Sequence, residues 1–425
     1  MKVLLVSPNT EQTDIPTPPL GLWCVAEAAL RAGHDVLAVD LMHEEDIRGR
    51  LIRDLETHAP EIIGVSIRNI DDQDMHEPRF LLDQSKEVIK LIKARTNVPV
   101  VLGGAGYSMF PESALSYLGA DMGIRGDGEE AFTALLARME QGRPPAGIPG
   151  FYLPGAPPAN VRAVSSDLDL CPLPAPEHFH VDAYDPEKLW MPVQTRRGCP
   201  IGCAYCSTPH IEGRLLRKRR PDQVIRWLKK WKGAGFSRFH FVDNTFNLPP
   251  SYAETLCDEI TTAGLEIQWL CILYPGAFTD RLAEKMRRSG CRHVSLGFES
   301  GSPRILKSLN KRFTPKDVLE ASRMLRAQGI QQMGFLLLGG PGETRDTVEE
   351  SLSFIERLDP DLLKITIGVR IYPETPLARH AVASGFVSPD DSLLFPRFYL
   401  ETGLEEWVEN RVESWLKEHP KWNNP

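Results

Sequence analysis

No apolar run in the sequence comes near the ~18 residues that a membrane-crossing helix requires, so a helical membrane protein is not expected. Basic residues are not in excess either: 49 Lys and Arg stand against 57 Asp and Glu, a formal net charge of −8. A chain built chiefly to grip nucleic acid shows the opposite balance, which argues against nucleic acid as the main partner. Residues 1–7 turn polar too soon for a secretory leader. Eight cysteines in 425 residues are too few and too unevenly spread for a small disulfide scaffold. The expected setting is therefore cytoplasmic. What remains is ordinary globular material, 42% apolar and 25% charged, long enough for two or three domains at roughly 150 residues each.

Up to residue 141, short apolar runs alternate with helical periodicity. Residues 3–6, 35–39, 62–66, 98–102 and 122–124 read as strands, with helices over 20–32, 45–57 and 82–95. Near-continuous apolar strands separated by helices predict a parallel sheet covered on both faces, a doubly wound α/β domain over 1–141. Ligands of such sheets sit beyond the carboxyl ends of the strands. Those ends carry Ser7-Pro8-Asn9, Ser66-Ile67-Arg68-Asn69 and Gly103-Gly104-Ala105-Gly106-Tyr107-Ser108. Ser66, Asn69, Gly103, Gly104 and Ser108 are the candidate ligand contacts. Ten prolines between 142 and 190 predict an irregular linker anchored by Ile148, Phe151, Tyr152, Leu168 and Leu170.

From 191 to 386 the alternation resumes. Strands are expected at 192–195, 238–242, 266–272, 293–298, 333–338 and 363–369, with five helices between them. This predicts a partial β/α barrel whose site lies at the strand C-terminal face. Residues 387–425 form a tail with an amphipathic helix over 407–419. The basic run Arg214, Arg217, Lys218, Arg219 and Arg220 reads as a solvated loop before a helix in preference to a nucleic-acid contact, with one arginine engaging a carboxylate or phosphate of a ligand as a third reading. Cys24, Cys171, Cys257, Cys271 and Cys291 are scattered, and burial is their expected state.

The other three cysteines lie in Arg197-Gly198-Cys199-Pro200-Ile201-Gly202-Cys203-Ala204-Tyr205-Cys206, directly after the first barrel strand. Thiolates spaced C-x3-C-x2-C on one loop can wrap an iron–sulfur cluster and leave one iron open. His210 also allows a Cys3His zinc site, and unliganded core thiols are a further reading.

The cysteine spacing, with Tyr205 before the last Cys, resembles the radical S-adenosylmethionine (radical SAM) superfamily. Pro18-Pro19-Leu20-Gly21-Leu22 and the glycine-rich 103–108 segment resemble the cobalamin-binding domain that precedes the barrel in many members. The resemblance implies that Cys199, Cys203 and Cys206 hold a 4Fe–4S cluster whose fourth iron chelates SAM. An electron then splits SAM into methionine and a 5′-deoxyadenosyl radical, which takes hydrogen from a small-molecule substrate. It further implies a cobalamin cradle over 8–22, 67–78 and 103–110, with Ser108 hydrogen-bonded to the nucleotide tail. No complete D-x-H-x-x-G motif is present: Asp74-Met75-His76 is followed by Arg79 where the glycine would stand. By the same resemblance Asp243 faces the methionyl ammonium of SAM and Glu299 its ribose or amino group; capping the next helix or turn is the equal alternative for Asp243, and pairing with a neighbouring arginine the alternative for Glu299. Gly339 and Gly340 would allow backbone approach to SAM, and Arg370 would face SAM or an anionic substrate. No catalytic acid or base is assigned.

Methyl transfer to an unactivated carbon is the expected reaction, with an external electron donor such as flavodoxin or ferredoxin. The alternatives are a cobalamin-associated rearrangement, cyclisation or oxidation, and a noncatalytic binding module. A tRNA methylthiotransferase is disfavoured, since only Cys24 lies in the N-terminal domain and the chain ends soon after the barrel.

Overall fold

The computed structural model describes residues 1–11, 16–155, 162–179 and 181–423. Part of the expected 8–22 cradle and of the proline-rich linker, Pro157 and Pro158 included, falls outside them. The first sheet is built from β1 (Lys2–Ser7), β2 (Asp35–Asp40), β3 (Ile62–Ser66), β4 (Val100–Gly103), β5 (Met122–Ile124) and β6 (Phe151–Tyr152), in the order β2-β1-β3-β4-β5-β6. Strands β1 to β5 run parallel. The linker supplies an antiparallel edge, β6 on β5, that the prolines around it hide in the sequence. Helices α1 (Leu20–Arg31), α2 (Ile47–His58), α3 (Leu82–Lys93), α4 (Ala105–Met109), α5 (Pro111–Leu118) and α6 (Gly128–Glu140) cover both faces.

The period of two along β1 decides which helices cover which face. Val3 and Leu5 pack with Trp23 of α1 and Phe132 of α6. Leu4 and Val6 pack with Leu51 of α2, Val88 of α3 and Leu115 of α5. The strand order reverses between β1 and β3, which is where an open α/β sheet leaves a crevice.

The second sheet follows β7 (Met191–Val193). A small antiparallel pair, β8 (Arg196–Arg197) with β9 (Arg217–Lys218), brackets α7 (Thr208–Ile211). Then come α8 (Pro221–Gly233), β10 (Arg238–Phe241), α9 (Pro250–Thr262), β11 (Gln268–Leu273), α10 (Asp280–Arg288), β12 (Cys291–Glu299), α11 (Pro303–Ser308), α12 (Pro315–Ala327), β13 (Gln331–Leu338), α13 (Arg345–Leu358) and β14 (Leu362–Ile367). The six strands pair in chain order, all parallel, from β7 at one edge to β14 at the other. Phe239, Phe241, Trp269, Phe298 and Leu336 point outward into a core with Trp231, Leu256 and Phe354 of the helices.

The chain then returns through β15 (Val369–Arg370), α14 (Pro376–Ala383), β16 (Phe398–Tyr399, antiparallel to β15) and α15 (Glu405–Glu418), where Val408, Val412 and Trp415 are buried. Among the described residues no helix is long and apolar enough to cross a membrane.

The two sheets share one apolar core. Trp23 of α1 stacks on Trp231 of α8 with ring centroids 6.0 Å apart, and on the linker's Phe179 at 4.9 Å. Both Trp227 and Trp231 donate their ring N–H to the Pro174 carbonyl. Of the expected linker anchors, Ile148, Phe151, Tyr152 and Leu168 are buried, whereas Leu170 is largely exposed.

The loop after β3 also crosses between the sheets. Its Asp71 pairs with Arg370 at 2.8 Å, both side chains almost fully buried, and Met75 fills the space over Gly368. Removing one partner of a buried pair leaves an uncompensated charge. Asp71→Ala is therefore expected to cost roughly 3–5 kcal/mol of stability, measured by denaturant unfolding. Adding Arg370→Met should recover most of it. A loss below about 1 kcal/mol for the single variant would show the pair to be solvated, as a surface ion pair is.

Candidate cofactor and active site

Gly198 opens the cysteine loop with φ +86°, and a Cβ there would stand 2.1 Å from the Leu215 carbonyl oxygen, so only glycine fits. Beyond it the backbone is tied down at each cysteine. Cys199 N–H donates to the Gly213 carbonyl, Ala204 N–H to that of Leu309, and Leu377 N–H to that of Ala204. Asn310 Nδ2 donates to the Gly202 carbonyl at 2.7 Å. Cys199 is buried, while Cys203 and Cys206 are half-buried.

Burial pushes the Cys199 thiol up to about 11, and the nearness of Cys206 and Cys203 adds to the rise. Three thiols that repel one another as thiolates need a shared cation, and soft sulfur suits iron. His210 does not join them. Its Nδ1 is bound to Glu374 Oε2 at 3.1 Å. Among the described residues, no three His, Cys, Asp or Glu groups converge closely enough for a single ion. The donor set, three thiols on one loop, is the soft-sulfur set that suits an iron–sulfur cluster.

Lys311 stands beside this loop and was not foreseen in the sequence. Its Nζ donates to Tyr205 Oη at 3.0 Å and to Glu299 Oε1 at 3.1 Å. Burial opposes its charge, but Glu299, Tyr205 and Cys203 outweigh that and hold the ammonium well above its ordinary value. Glu299 sits at φ +63°, an unusual backbone for a non-glycine residue, at the carboxyl end of β12. The structure brings Glu299 and the cysteines together.

The other predicted SAM contacts fare differently. Asp243 is completely buried. It accepts from Thr195 N at 2.7 Å and Arg196 N at 3.0 Å, and pairs with Arg196 Nε at 3.1 Å. Its oxygens are used in shaping the approach to the cysteine loop, not in binding an ammonium. Arg370 is likewise turned inward, to Asp71 and to the carbonyls of Ile371 and Leu393, so it faces neither SAM nor solvent. A Cβ on Gly339 would stand 2.3 Å from Leu400, and Gly340 packs against Leu309. The space at these glycines is thus filled by the protein's own side chains.

At the first sheet a cavity of about 420 Å³ lies at the β1/β3 crevice. Ser7, Ser66, Arg68 and Gly103 stand at its strand-end mouth, and Cys24 and Phe132 at its depth between the sheet and helices α1 and α6. Gly21 and Gly103 face open space where a Cβ would be. The volume is that of an ordinary small-molecule pocket. Gly104 is held at φ +98° against the Ile67 carbonyl. Ser108 Oγ donates to the Gly104 carbonyl at 2.8 Å and accepts from Gly126 N at 3.0 Å. Its proton is therefore spent, and toward a ligand it is an acceptor only. Asn69 is exposed and is not among the lining residues. His76 pairs with Glu409 of α15 at 3.3 Å, away from the cavity.

The cavity continues to Gln194 and Val242, just beyond β7 and β10, and to Arg197 of β8. Arg197, two residues before Cys199, grips Glu129 at the start of α6 through two bonds of 2.6 and 3.1 Å and pairs with Asp127 at 3.2 Å. Asp127 also pairs with Arg217. Glu129, Arg197 and Arg217 are buried and Asp127 is half-buried, so the basic run expected to be solvated is partly interior; Arg219 is buried too. Burial works against the charge of Glu129, and Arg197 overcomes it to hold the carboxyl below its usual range. The arginines were visible in the sequence; their partners, 68 and 90 residues earlier, carried no local signal.

The radical SAM superfamily profile matches residues 193–355, and that of the B12 binding domain residues 10–136. An uncharacterised methyltransferase of Pyrococcus horikoshii is 30% identical over 402 residues, covering 91% of this chain and 84% of that protein. The tryptophan 2-C-methyltransferase of Streptomyces laurentii is 25% identical over 443 residues, covering 89% and 74%. Among solved structures, the radical SAM methyltransferase TsrM of Kitasatospora setae, with cobalamin and a [4Fe–4S] cluster bound, has a similar fold. The TM-score is 0.86 at 22% identity over 98% of this chain and 88% of that one. The chain belongs to the radical SAM superfamily, in the group that carries a B12-binding domain. It is an enzyme of that group, and its cofactors are a 4Fe–4S cluster, SAM and cobalamin.

Glu343, in the turn after β13, gives the site region a pH signature. Burial raises its carboxyl from 4.5 to about 7, against the bonds it accepts from Gly339 N and Thr347 Oγ1. The folded protein therefore binds this proton more tightly than the unfolded chain does. The contribution to stability is full below pH 4.5 and is lost as pH rises through about 7, a change of roughly 3 kcal/mol. Denaturant midpoints should fall over that interval, and Glu343→Gln should flatten the fall. An identical slope in the variant would assign the titration elsewhere.

Proposed function

We propose that this enzyme moves a methyl group to a carbon atom of a small, largely apolar molecule. The observation behind it is the seam itself: Arg197 lines the β1/β3 cavity and stands two residues before Cys199. When bound, the cluster supplies the electron that divides SAM, and cobalamin carries the methyl group. The chain's own part is to hold the three thiols on a rigid loop, to set the Lys311–Glu299 pair beside them, and to shape the chamber between.

That chamber is the inner face of the second sheet. Register places His240, Leu270 and His293 in one row and Ile272, Ser295 and Met333 in the next. Parallel sheets are normally covered on both faces, yet Ile272 is 37% exposed in a central strand. Burial lowers the His240 imidazole to about 4, with Arg68 and His293 reinforcing the shift, so it is neutral at pH 7. An uncharged row against an apolar row favours a substrate with an apolar body and a neutral hydrogen-bonding group. The loop that carries Asp71 and Met75 crosses from the cobalamin side to Arg370 and Gly368 and helps keep water out. An external one-electron carrier such as flavodoxin or ferredoxin completes the system, in a reducing, cytoplasmic setting.

Anaerobically reconstituted protein given SAM and a reductant is expected to form both S-adenosylhomocysteine and 5′-deoxyadenosine, with a methylated product once the substrate is supplied. Cys203→Ala should reduce 5′-deoxyadenosine to background. Formation of 5′-deoxyadenosine with no S-adenosylhomocysteine and no methylated product would favour a rearrangement or oxidation instead. Chromatography with mass detection reads all three.

A further inference from the structure

The following rests on the reading that the three-thiol loop holds a cluster supplied with electrons from outside. The chain as a whole is acidic, with net charge −8, but the surface over that loop is not. Residues 213–215 pack on Gly198, where a Cβ would stand 2.1 Å from the Leu215 carbonyl oxygen. The turn carries Arg214 and Leu215 into solvent, and Leu215 is 74% exposed. On the far side of the loop, Asn310 holds Gly202 and is flanked by Lys307, whose carbonyl accepts from Asn310 N, and by exposed Arg312. Gly202 lies between these two margins: a Cβ there would be 3.8 Å from Asn310 Nδ2 and 3.9 Å from Arg214 Nη1. Among the described residues Arg214, Lys307 and Arg312 form no ion pair, and Glu374, the exposed acid nearest His210, is engaged by His210 and Arg125.

We propose that this patch docks an acidic one-electron carrier protein over the Gly202 turn. An exposed apolar side chain beside an arginine has the make-up of an interface anchor. Unpaired charges around it raise the encounter rate with a partner of opposite sign. One electron leaves the carrier's reduced flavin and enters the cluster; the carrier is oxidised by one electron, the cluster is reduced by one, and no bond on this chain forms or breaks.

Flavodoxin serves as the probe. Its reduced form is mixed anaerobically with the reconstituted enzyme, and cluster bleaching is followed by stopped flow. Calorimetry measures binding of oxidised flavodoxin. The wild-type rate should fall steeply with added salt. In Arg214→Glu/Leu215→Asp it should fall about tenfold or more and lose its salt dependence, and the binding heat should vanish. Arg214→Lys should keep both. Dithionite, which needs no docking surface, should reduce the cluster of the reversed-charge variant at the wild-type rate and still support SAM cleavage.

Unchanged flavodoxin binding and rate in that variant would overturn the assignment. So would an equal loss with dithionite, which would make residues 214 and 215 supports of the cluster itself. Binding of single-stranded RNA at the patch with none of flavodoxin would overturn it as well. Wild-type protein that takes up no iron and cleaves no SAM with dithionite refutes the underlying reading, and the docking assignment with it.

Discussion

The buried contact of Arg197 with Glu129 and Asp127 is the interaction on which the architecture turns. Charges removed from water cost several kcal/mol each, and only close, multiply hydrogen-bonded geometry offsets that. Here the guanidinium meets Glu129 through two bonds and Asp127 through a third contact, while Arg217 takes the other oxygen of Asp127. The acids belong to the start of α6 on the first sheet, and the arginines to the β8–β9 pair that brackets the cysteines. An apolar contact would join the same surfaces but would tolerate sliding. A bidentate pair fixes direction as well as distance, and so fixes the cysteine loop against the β1/β3 cavity.

A second buried set continues this logic into the barrel. Asp243 collects the N–H groups of Thr195 and Arg196 together with the Arg196 guanidinium. It thereby shapes the chain between β7 and the first cysteine. The Asp71–Arg370 pair does the same at the opposite edge, between the loop after β3 and β15. With both edges pinned to the first sheet, the inner face of the second can remain uncovered by helices. The reading of that face as a substrate chamber follows from what is left on it: Ile272 and Met333 in one row, a neutral His240 in the next.

Much of this was legible in the sequence. The apolar runs at 3–6, 62–66 and 333–338 become strands because their periodicity leaves no other way to bury them, and the three closely spaced cysteines share one loop. The errors share one cause. A carboxylate or guanidinium at a strand end looks the same in sequence whether it faces a ligand or its own backbone, and only tertiary distance separates the cases. Asp243 and Arg370 were read toward SAM for that reason, and both turned inward. Arg217 looked solvated because its partner lies in the other sheet. Lys311 had no pattern to betray it, since its role arises only when the turn after α11 folds back on Tyr205. The antiparallel β6 was masked by its flanking prolines.

The Arg197 contact holds the cysteine loop and the β1/β3 cavity in one fixed relation. Pulsed electron paramagnetic resonance on enzyme loaded with Co(II) cobalamin and a reduced cluster measures that relation directly, through the coupling between the two spins. A single narrow distance in the wild type, broadened in Glu129→Ala with both cofactors still bound, is the predicted result. A broad distribution in the wild type, or an unchanged narrow one in the variant, would contradict it.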